Sequence, residues 1–241
     1  MAAPNNPEAK LRERLGALQL GVPVAIRVSP RARRLSLRVD AVSRGVELVL
    51  PRWVSSEAAI GFVAQHRGWI AARVAAMPLP LRLADGATVP VFGVPHRICR
   101  VADAGAAPVT IADGEIRVRG DPAHLPRRVR DHLIALAKRE FAARARALAA
   151  RLGKSVTRVG VRDPKSRWGS CSSTGALSFS WRLIFAPEPV VDYVVAHEVA
   201  HLVEMNHSPR FWRVVASLVP DSAAPRAWLK RHRLELLSYA A

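Results

Sequence analysis

The chain has 241 residues, half of them hydrophobic, and a formal net charge of +18 from 37 Lys and Arg against 19 Asp and Glu. This length suits one large domain or two small ones, and no apolar run approaches the ~20 residues of a membrane span. Residues 1–14 lack the apolar core of a secretory signal, and two cysteines, Cys99 and Cys171, are too few for a disulfide scaffold. We therefore expect a soluble cytoplasmic protein with reduced thiols.

The excess of positive charge indicates a negatively charged partner but does not identify it. Such an imbalance suits a polyanion, such as nucleic acid, or an anionic membrane surface. The alternative is compositional drift, in which arginine replaces surface lysine in a sequence rich in alanine and arginine. Because charge governs encounter and not fold, nucleic-acid binding through a basic surface is kept as a hypothesis.

The first half of the chain is predicted to be rich in β-strands. After a short helix around residues 8–19, three segments have strand-like composition, and the later two alternate apolar and polar side chains with the period of a half-buried strand. These segments are residues 22–28, 35–39 and 46–50. Ser55 or Ser56 then caps a helix predicted over residues 57–77. Short strands separated by turns follow over residues 78–119.

The second half begins with a long helix and continues with strands. Apolar side chains recur at helical spacing over residues 127–152, and residues 157–161 are strand-like. Residues 167–172 and 177–184 flank Ser173-Thr174-Gly175 and are predicted to form the two arms of a β-hairpin. The second arm alternates apolar and polar residues, which indicates that one face is buried.

The sequence His-Glu-Val-Ala-His at residues 197–201 contains candidate metal ligands and a candidate catalytic base. The run before it, residues 187–196, is helix-like, and side chains four residues apart on a helix share a face about 5–6 Å apart at Cβ. His197 and His201 can therefore bind one Zn²⁺. Glu198 is turned about 100° around the axis, so it can approach a water on the metal without ligating the metal. The alternative is a pair of surface histidines on an amphipathic helix.

Two residues compete to be the third metal ligand that a catalytic zinc requires. Asn206 can end the helix in the left-handed conformation, and the Ser208-Pro209 pair signals a new helix. His207 therefore lies in a turn from which it can fold back to the metal. Glu204 shares the helix face of the two histidines, but on a straight helix it would lie about 10 Å along the axis from the first histidine. We favour His207 and keep Glu204 as the alternative.

Three stretches have a characteristic order and spacing: residues 167–172 (RWGSCS), 192–202 (DYVVAHEVAHL) and 206–212 (NHSPRFW). In these stretches the chain resembles the YgjP-like metallopeptidases, which are distantly related to the SprT-like proteases. A weaker likeness covers residues 31–39. Ser180 departs from the pattern, since we expect asparagine there. Glu204 stands where metzincins carry a glycine, which disfavours that related group.

The resemblance implies an α+β fold. In this fold a zincin-like catalytic domain, with an active-site HExxH helix beside a β-hairpin, follows a β-rich N-terminal region. We expect an N-terminal tail at residues 1–20, a β-rich region with one helix at residues 21–122, and the metallopeptidase domain at residues 123–241. The resemblance also implies one Zn²⁺ per chain, with His197, His201 and His207 as ligands and Glu198 as the base.

We therefore predict a zinc-dependent metallopeptidase that hydrolyses peptide bonds of a peptide or protein substrate through a zinc-bound water activated by Glu198. Tyr193 and Arg167 are candidates to contact the transition state or the substrate, although packing or an ion pair explains each equally well. Two alternatives stay open. One is a basic nucleic-acid-associated protein with a structural or vestigial zinc site, and the other is a protease that acts on DNA-bound proteins. Glu198 distinguishes a catalytic zinc site from a structural one, because a structural site does not require a carboxylate beside a ligand.

Overall fold

The computed structural model describes residues 7–40, 43–102, 107–164 and 166–239. The described residues form eight α-helices and ten β-strands, in a chain that divides into two compact units, Met1–Pro80 and Leu81–Ala241. This mixture of helices and sheets agrees with the predicted class. Over the same residues, no helix combines the length and the apolar character needed to cross a membrane.

The first unit is built on a three-stranded sheet. Its elements are α1 (Pro7–Gly16), β1 (Val24–Val28), β2 (Ser36–Asp40), β3 (Gly45–Leu50), α2 (Ser56–Gln65) and α3 (Arg67–Ala75). Strand β3 lies in the centre, parallel to β1 and antiparallel to β2. Leu48 from this strand shares a core with Leu11, Val63 and Ile70 from the three helices. Ser55 caps α2, as predicted, by accepting a hydrogen bond from the backbone N–H of Ala58.

The single helix predicted over residues 57–77 is wrong, because the helix breaks at His66. This residue has φ −95° and ψ 11°, which ends α2 and precedes α3. Its ring packs on Phe62 with centroids 4.3 Å apart, and its Nδ1 lies 2.8 Å from the Phe62 carbonyl oxygen. The same carbonyl oxygen also accepts the backbone N–H of His66 at 3.2 Å, so the ring adds a side-chain bond to the end of α2.

The second unit begins with a four-stranded sheet in the order β4-β5-β7-β6. The strands are β4 (Thr88–Val91), β5 (Val94–Val101), β6 (Val109–Ala112) and β7 (Glu115–Arg119). The long helix α4 (Leu125–Arg151) buries Leu133 and Phe141 in the same core as Ile98 and Ile116 of this sheet. The predicted domain boundary lies at residue 122. The four-stranded sheet falls in the second compact unit, where it shares its core with α4.

A three-stranded sheet in the order β8-β10-β9 follows α4. Its strands are β8 (Arg158–Arg162), β9 (Gly169–Cys171) and β10 (Ala176–Ser180), with β10 antiparallel to β9 and parallel to β8. The second hairpin arm was predicted to reach Ile184, but Trp181–Phe185 form a 3₁₀-helix. All five of these side chains are buried. A strand with one polar face cannot bury consecutive residues in this way.

Four helices complete the second unit: α5 (Glu188–Ala200), α6 (Pro209–Leu218), α7 (Ala223–Arg231) and α8 (Arg233–Ser238). Helix α5 is the central one, since it packs against α4, α6, α7 and β9. Arg144 of α4 fixes its first turns through contacts of 3.1 Å to Glu188 and 2.6 Å to Asp192. The last turn of α5 lies against strand β9, where Gly169 approaches Glu198.

Candidate metal centre

Three imidazoles converge where α5 ends. His197 lies in the last turn of the helix, His201 is its C-cap and His207 lies in the loop before α6. One potential ligand atom of each histidine lies within 4.8 Å of the other two. The Nε2 atoms of His197 and His207 are 3.0 Å apart. Two nitrogens that bind one tetrahedral ion at about 2.0–2.1 Å lie about 3.3 Å apart, so the spacing of this pair is close to that of two ligands of one metal ion.

The backbone selects which nitrogen of His201 faces the cluster. His201 Nδ1 lies 3.0 Å from the carbonyl oxygen of Glu204 and donates a hydrogen bond to it. This leaves the lone pair of Nε2 free, the arrangement typical of a metal-bound imidazole. Glu204 thus supports His201 through its main chain, and its carboxylate is not part of the group of converging ligand atoms.

The loop that carries His207 differs in detail from the prediction. Helix α5 ends at Ala200, so the prediction that Asn206 ends it in the left-handed conformation is wrong, and the φ of Asn206 is not positive. Asn206 instead accepts a hydrogen bond from the backbone N–H of Ser208 at 3.0 Å through Oδ1. The predicted cap of the next helix is confirmed, because Ser208 Oγ accepts from the backbone N–H of Phe211 at 3.3 Å. The early helix end leaves a longer loop in which His207 can turn back.

Aromatic rings from α6 hold the imidazoles in place. Phe211 is fully buried and stacks on His201 with centroids 4.5 Å apart. Trp212 stacks on His207 at 5.9 Å. Because these rings restrict the rotation of the imidazoles, the cluster is organised by packing as well as by the spacing along α5.

Burial favours the neutral form of two of the three histidines. Burial, followed by the nearby His201 and His207, lowers the pKa of His197 to about 4. The pKa of His201 is also lowered, chiefly by burial. Metal ligation requires deprotonated imidazoles, so the protein environment favours the ligand form of both residues. Within the described residues, the buried Nδ1 of His197 has no hydrogen-bond partner.

Glu198 lies beside the histidine cluster and is only 6% exposed. Burial raises its pKa to about 7, and the positive charge of Arg167 acts in the opposite direction. Strand β9 leaves the space for this side chain, because a Cβ atom at Gly169 would lie 2.5 Å from Glu198 Oε1. A bound cation would favour the carboxylate form still more.

A cleft of about 350 Å³ adjoins His197 and Glu198. Apolar parts of Trp168, Tyr193, Val194 and Leu229 line it, together with the charged ends of Arg167 and Arg226. The structure thus brings both candidate contacts, Tyr193 and Arg167, to the same space. The Tyr193 ring lies 6.0 Å from that of His197, and burial raises the pKa of its hydroxyl.

Sequence reasoning missed Arg226, which lies over the ring of Trp212 at 4.8 Å. It comes from α7, outside every motif of the sequence analysis, and no local signal separates it from the other arginines. Ser180, the departure from the expected asparagine, is fully buried. Its backbone N–H donates to the carbonyl oxygen of Trp168 at 2.8 Å, while its Oγ has no hydrogen-bond partner among the described residues.

Comparison with known proteins yields one family and one structure. A family model described as "YgjP-like, metallopeptidase domain" matches residues 33–232. The crystal structure of the metallopeptidase zymogen of Pyrococcus abyssi abylysin is 22% identical, covering 42% of this chain and 99% of that chain with a TM-score of 0.35. No curated protein gives a significant match.

Proposed function

Because this chain belongs to the YgjP-like metallopeptidase family, we propose that it hydrolyses peptide bonds with one zinc ion held by His197, His201 and His207. One observation carries the proposal. Three potential ligand atoms lie within 4.8 Å of one another beside a buried glutamate that is not one of them. This is the donor set of a zincin-like catalytic centre, with α5 as its helix and β9–β10 as the adjacent hairpin.

The donor set fits zinc better than other common metals. Neutral imidazoles suit Zn²⁺, whereas Ca²⁺ and Mg²⁺ prefer oxygen ligands. Structural zinc sites fill four positions with protein atoms, and catalytic sites use three. Within the described part of the chain, only the three histidines group in this way around His201. A zinc ion held by these three residues would keep a fourth position for water and substrate.

The residues around the centre have separable roles in the proposed reaction. A zinc ion bound there supplies a Lewis acid that polarises the scissile carbonyl and lowers the pKa of water toward ~7. Glu198 takes a proton from the attacking water through its carboxylate and transfers it to the nitrogen of the leaving amine. Burial raises the pKa of this carboxyl above its usual range, which makes the carboxylate a better proton acceptor.

Arg167 and Tyr193 are proposed to contact the substrate from the cleft. Each carries a hydrogen-bond donor, and the tetrahedral intermediate needs donors where negative charge develops on the carbonyl oxygen. The apolar walls formed by Trp168, Val194 and Leu229 suit a substrate side chain next to the scissile bond.

A cysteine-based mechanism is disfavoured. Cys171 is the thiol of the hairpin, and burial together with the charge of Glu198 raises its pKa to about 11. The thiol therefore stays protonated at neutral pH, whereas a cysteine nucleophile acts as the thiolate. Glu198 also weighs against a purely structural zinc in a nucleic-acid-binding module, since such a site does not require a buried carboxylate beside it.

The proposal is tested with the purified full-length chain and an unstructured protein such as casein. We expect hydrolysis that 1,10-phenanthroline abolishes and that added zinc restores in proportion to the metal bound. A protein that binds zinc stoichiometrically and cleaves neither casein nor a diverse peptide library would contradict the proposal.

A further inference from the structure

A second depression, of about 900 Å³, extends over the sheet β8-β10-β9 and the adjoining side of α4. Four cationic side chains line this basic groove: Lys138, Arg158, Arg162 and Arg167. No carboxylate lines it among the described residues. Within that part of the chain, the side chains of Lys138, Arg158 and Arg162 also make no ion pair or hydrogen bond. The groove therefore concentrates positive charge that the fold itself does not neutralise.

The nearest acidic residue along β8 is already engaged. Asp163 directly follows the strand, and its two carboxylate oxygens lie 2.7 and 3.1 Å from the guanidinium of Arg182. It is thus not available to neutralise Arg162. Uncompensated like charges repel one another and favour the binding of an anion.

The strand register gives the groove room for an extended chain. Arg158, Gly160 and Arg162 alternate along β8, so they share one face of the sheet. Gly160 lies opposite Ser178 of β10, and Ser178 lies opposite Ser170 of β9. The part of the groove that runs across the sheet from Gly160 is therefore lined by small side chains.

The basic groove continues into the candidate metal centre. Arg167, Ser170 and Cys171 line both the groove and the pocket that contains His197 and Glu198. A polymer that occupies the groove would therefore reach the hydrolytic residues without leaving the surface.

We propose that the basic groove binds an acidic segment of the polypeptide substrate and so selects proteins that carry clustered Asp and Glu near the cleaved bond. This inference rests on the proposed peptidase function. Nucleic acid is the less suitable occupant, because no aromatic side chain lines the groove among the described residues. Single-stranded nucleic acids depend on such rings for base stacking. The groove also leads to the proposed peptidase centre, at which a bound peptide would be hydrolysed.

The test measures binding separately from cleavage. A fluorescein-labelled peptide with four consecutive glutamates, and the same peptide with four glutamines, are titrated at low salt into the zinc-loaded full-length Glu198→Gln variant. We expect the double variant Arg158→Glu/Arg162→Glu in this background to bind the acidic peptide at least about tenfold more weakly, because two attractive charges become repulsive. The glutamine peptide should bind weakly to both proteins. Added salt should weaken the binding of the acidic peptide.

The matched control is Arg146→Glu/Arg213→Glu, which changes the net charge equally at two exposed positions outside the groove. It should change the dissociation constant by less than about twofold. The milder Arg158→Gln/Arg162→Gln variant, with circular dichroism and zinc content as checks, separates loss of charge from loss of fold. Equal weakening by the groove and control variants would overturn the proposal. So would equal binding of the two peptides.

The remaining outcomes separate this inference from the function on which it rests. If duplex DNA binding is lost in the groove variant while acidic-peptide binding persists, the groove is a nucleic-acid site and the inference is wrong. Cleavage of neutral peptides without any preference for acidic ones rejects the groove assignment and leaves the peptidase function intact. A third outcome is a wild-type protein that binds the acidic peptide through Arg158 and Arg162 and yet cleaves no peptide. That result rejects the peptidase function and leaves the groove assignment intact.

Discussion

Gly169 lies so close to Glu198 that an added Cβ atom would stand 2.5 Å from both the Cγ and the Oε1 of the glutamate. This contact joins the hairpin strand β9 to the helix that carries the histidines. The glutamate is thus positioned by the absence of a side chain on the neighbouring strand.

We expect Gly169→Ala to displace the Glu198 carboxylate and to lower kcat by at least about tenfold, because misplacement of about 1 Å can cost 10²-fold in rate. Zinc content should not change, since the three atoms nearest to the added Cβ all belong to Glu198 and not to a histidine. Gly61→Ala is a suitable control, because no atom lies within 4 Å of its added Cβ. Wild-type kcat in the Gly169→Ala enzyme would contradict the assigned position of Glu198.

The metal ligands are tested by zinc content. His197→Ala or His201→Ala should abolish copurifying zinc, because two remaining ligands hold the ion poorly against water and chelators. His207→Ala should lose zinc to a chelator much more readily than Glu204→Gln, whose backbone carbonyl still orients His201. Plasma emission spectrometry of the dialysed proteins measures both effects. The reverse ranking would make Glu204 the third ligand.

The placement of α5 is tested by stability. Arg144 joins α4 to Glu188 and Asp192 with only 20% of its side chain exposed. Arg144→Gln should lower the free energy of unfolding by about 1–2 kcal/mol, since it removes two contacts of a half-buried cation. Arg139→Gln on the same helix breaks an exposed pair with Glu140 and should change it by less than about 0.5 kcal/mol. Urea denaturation compares the two, and equal effects would show that Arg144 does not anchor α5.

The cleft donors are tested by steady-state kinetics. Arg167→Met removes the guanidinium donors and Tyr193→Phe removes the hydroxyl donor next to His197 and Glu198. At least one of these variants should lower kcat by about 10², the effect of losing an oxyanion contact, with zinc content unchanged. If both enzymes keep the wild-type kcat, neither residue stabilises the transition state, and Arg226 becomes the next cation to test.

Much of this architecture was predictable because short-range patterns dominate it. The alternation at residues 35–39 and 46–50 predicted β2 and β3, and the periodic apolar residues predicted α4 within two residues at its start. The two histidines of α5 required only helix geometry. The capping serine at position 208 also indicated its helix directly, because its interaction spans three residues.

The errors arose where a single residue or a tertiary contact overrode the local pattern. The break at His66 lies in the backbone of a single residue, with φ −95° and ψ 11°, and hydrophobic periodicity does not detect such a local change. The end of α5 at Ala200 and the 3₁₀-helix at Trp181–Phe185 depend on packing in the second unit. Arg226 enters the cleft from a helix distant in sequence, so only the folded chain associates it with His197.

The most direct measurement of the central claim compares Glu198→Gln with the wild type for zinc content and peptide hydrolysis in the same preparations. The amide is nearly isosteric with the carboxylate and does not accept a proton at neutral pH. We expect about one zinc per chain in both proteins and a turnover lower by about 10²–10⁴ in the variant. A Glu198→Gln protein that cleaves as fast as the wild type would exclude Glu198 as the base.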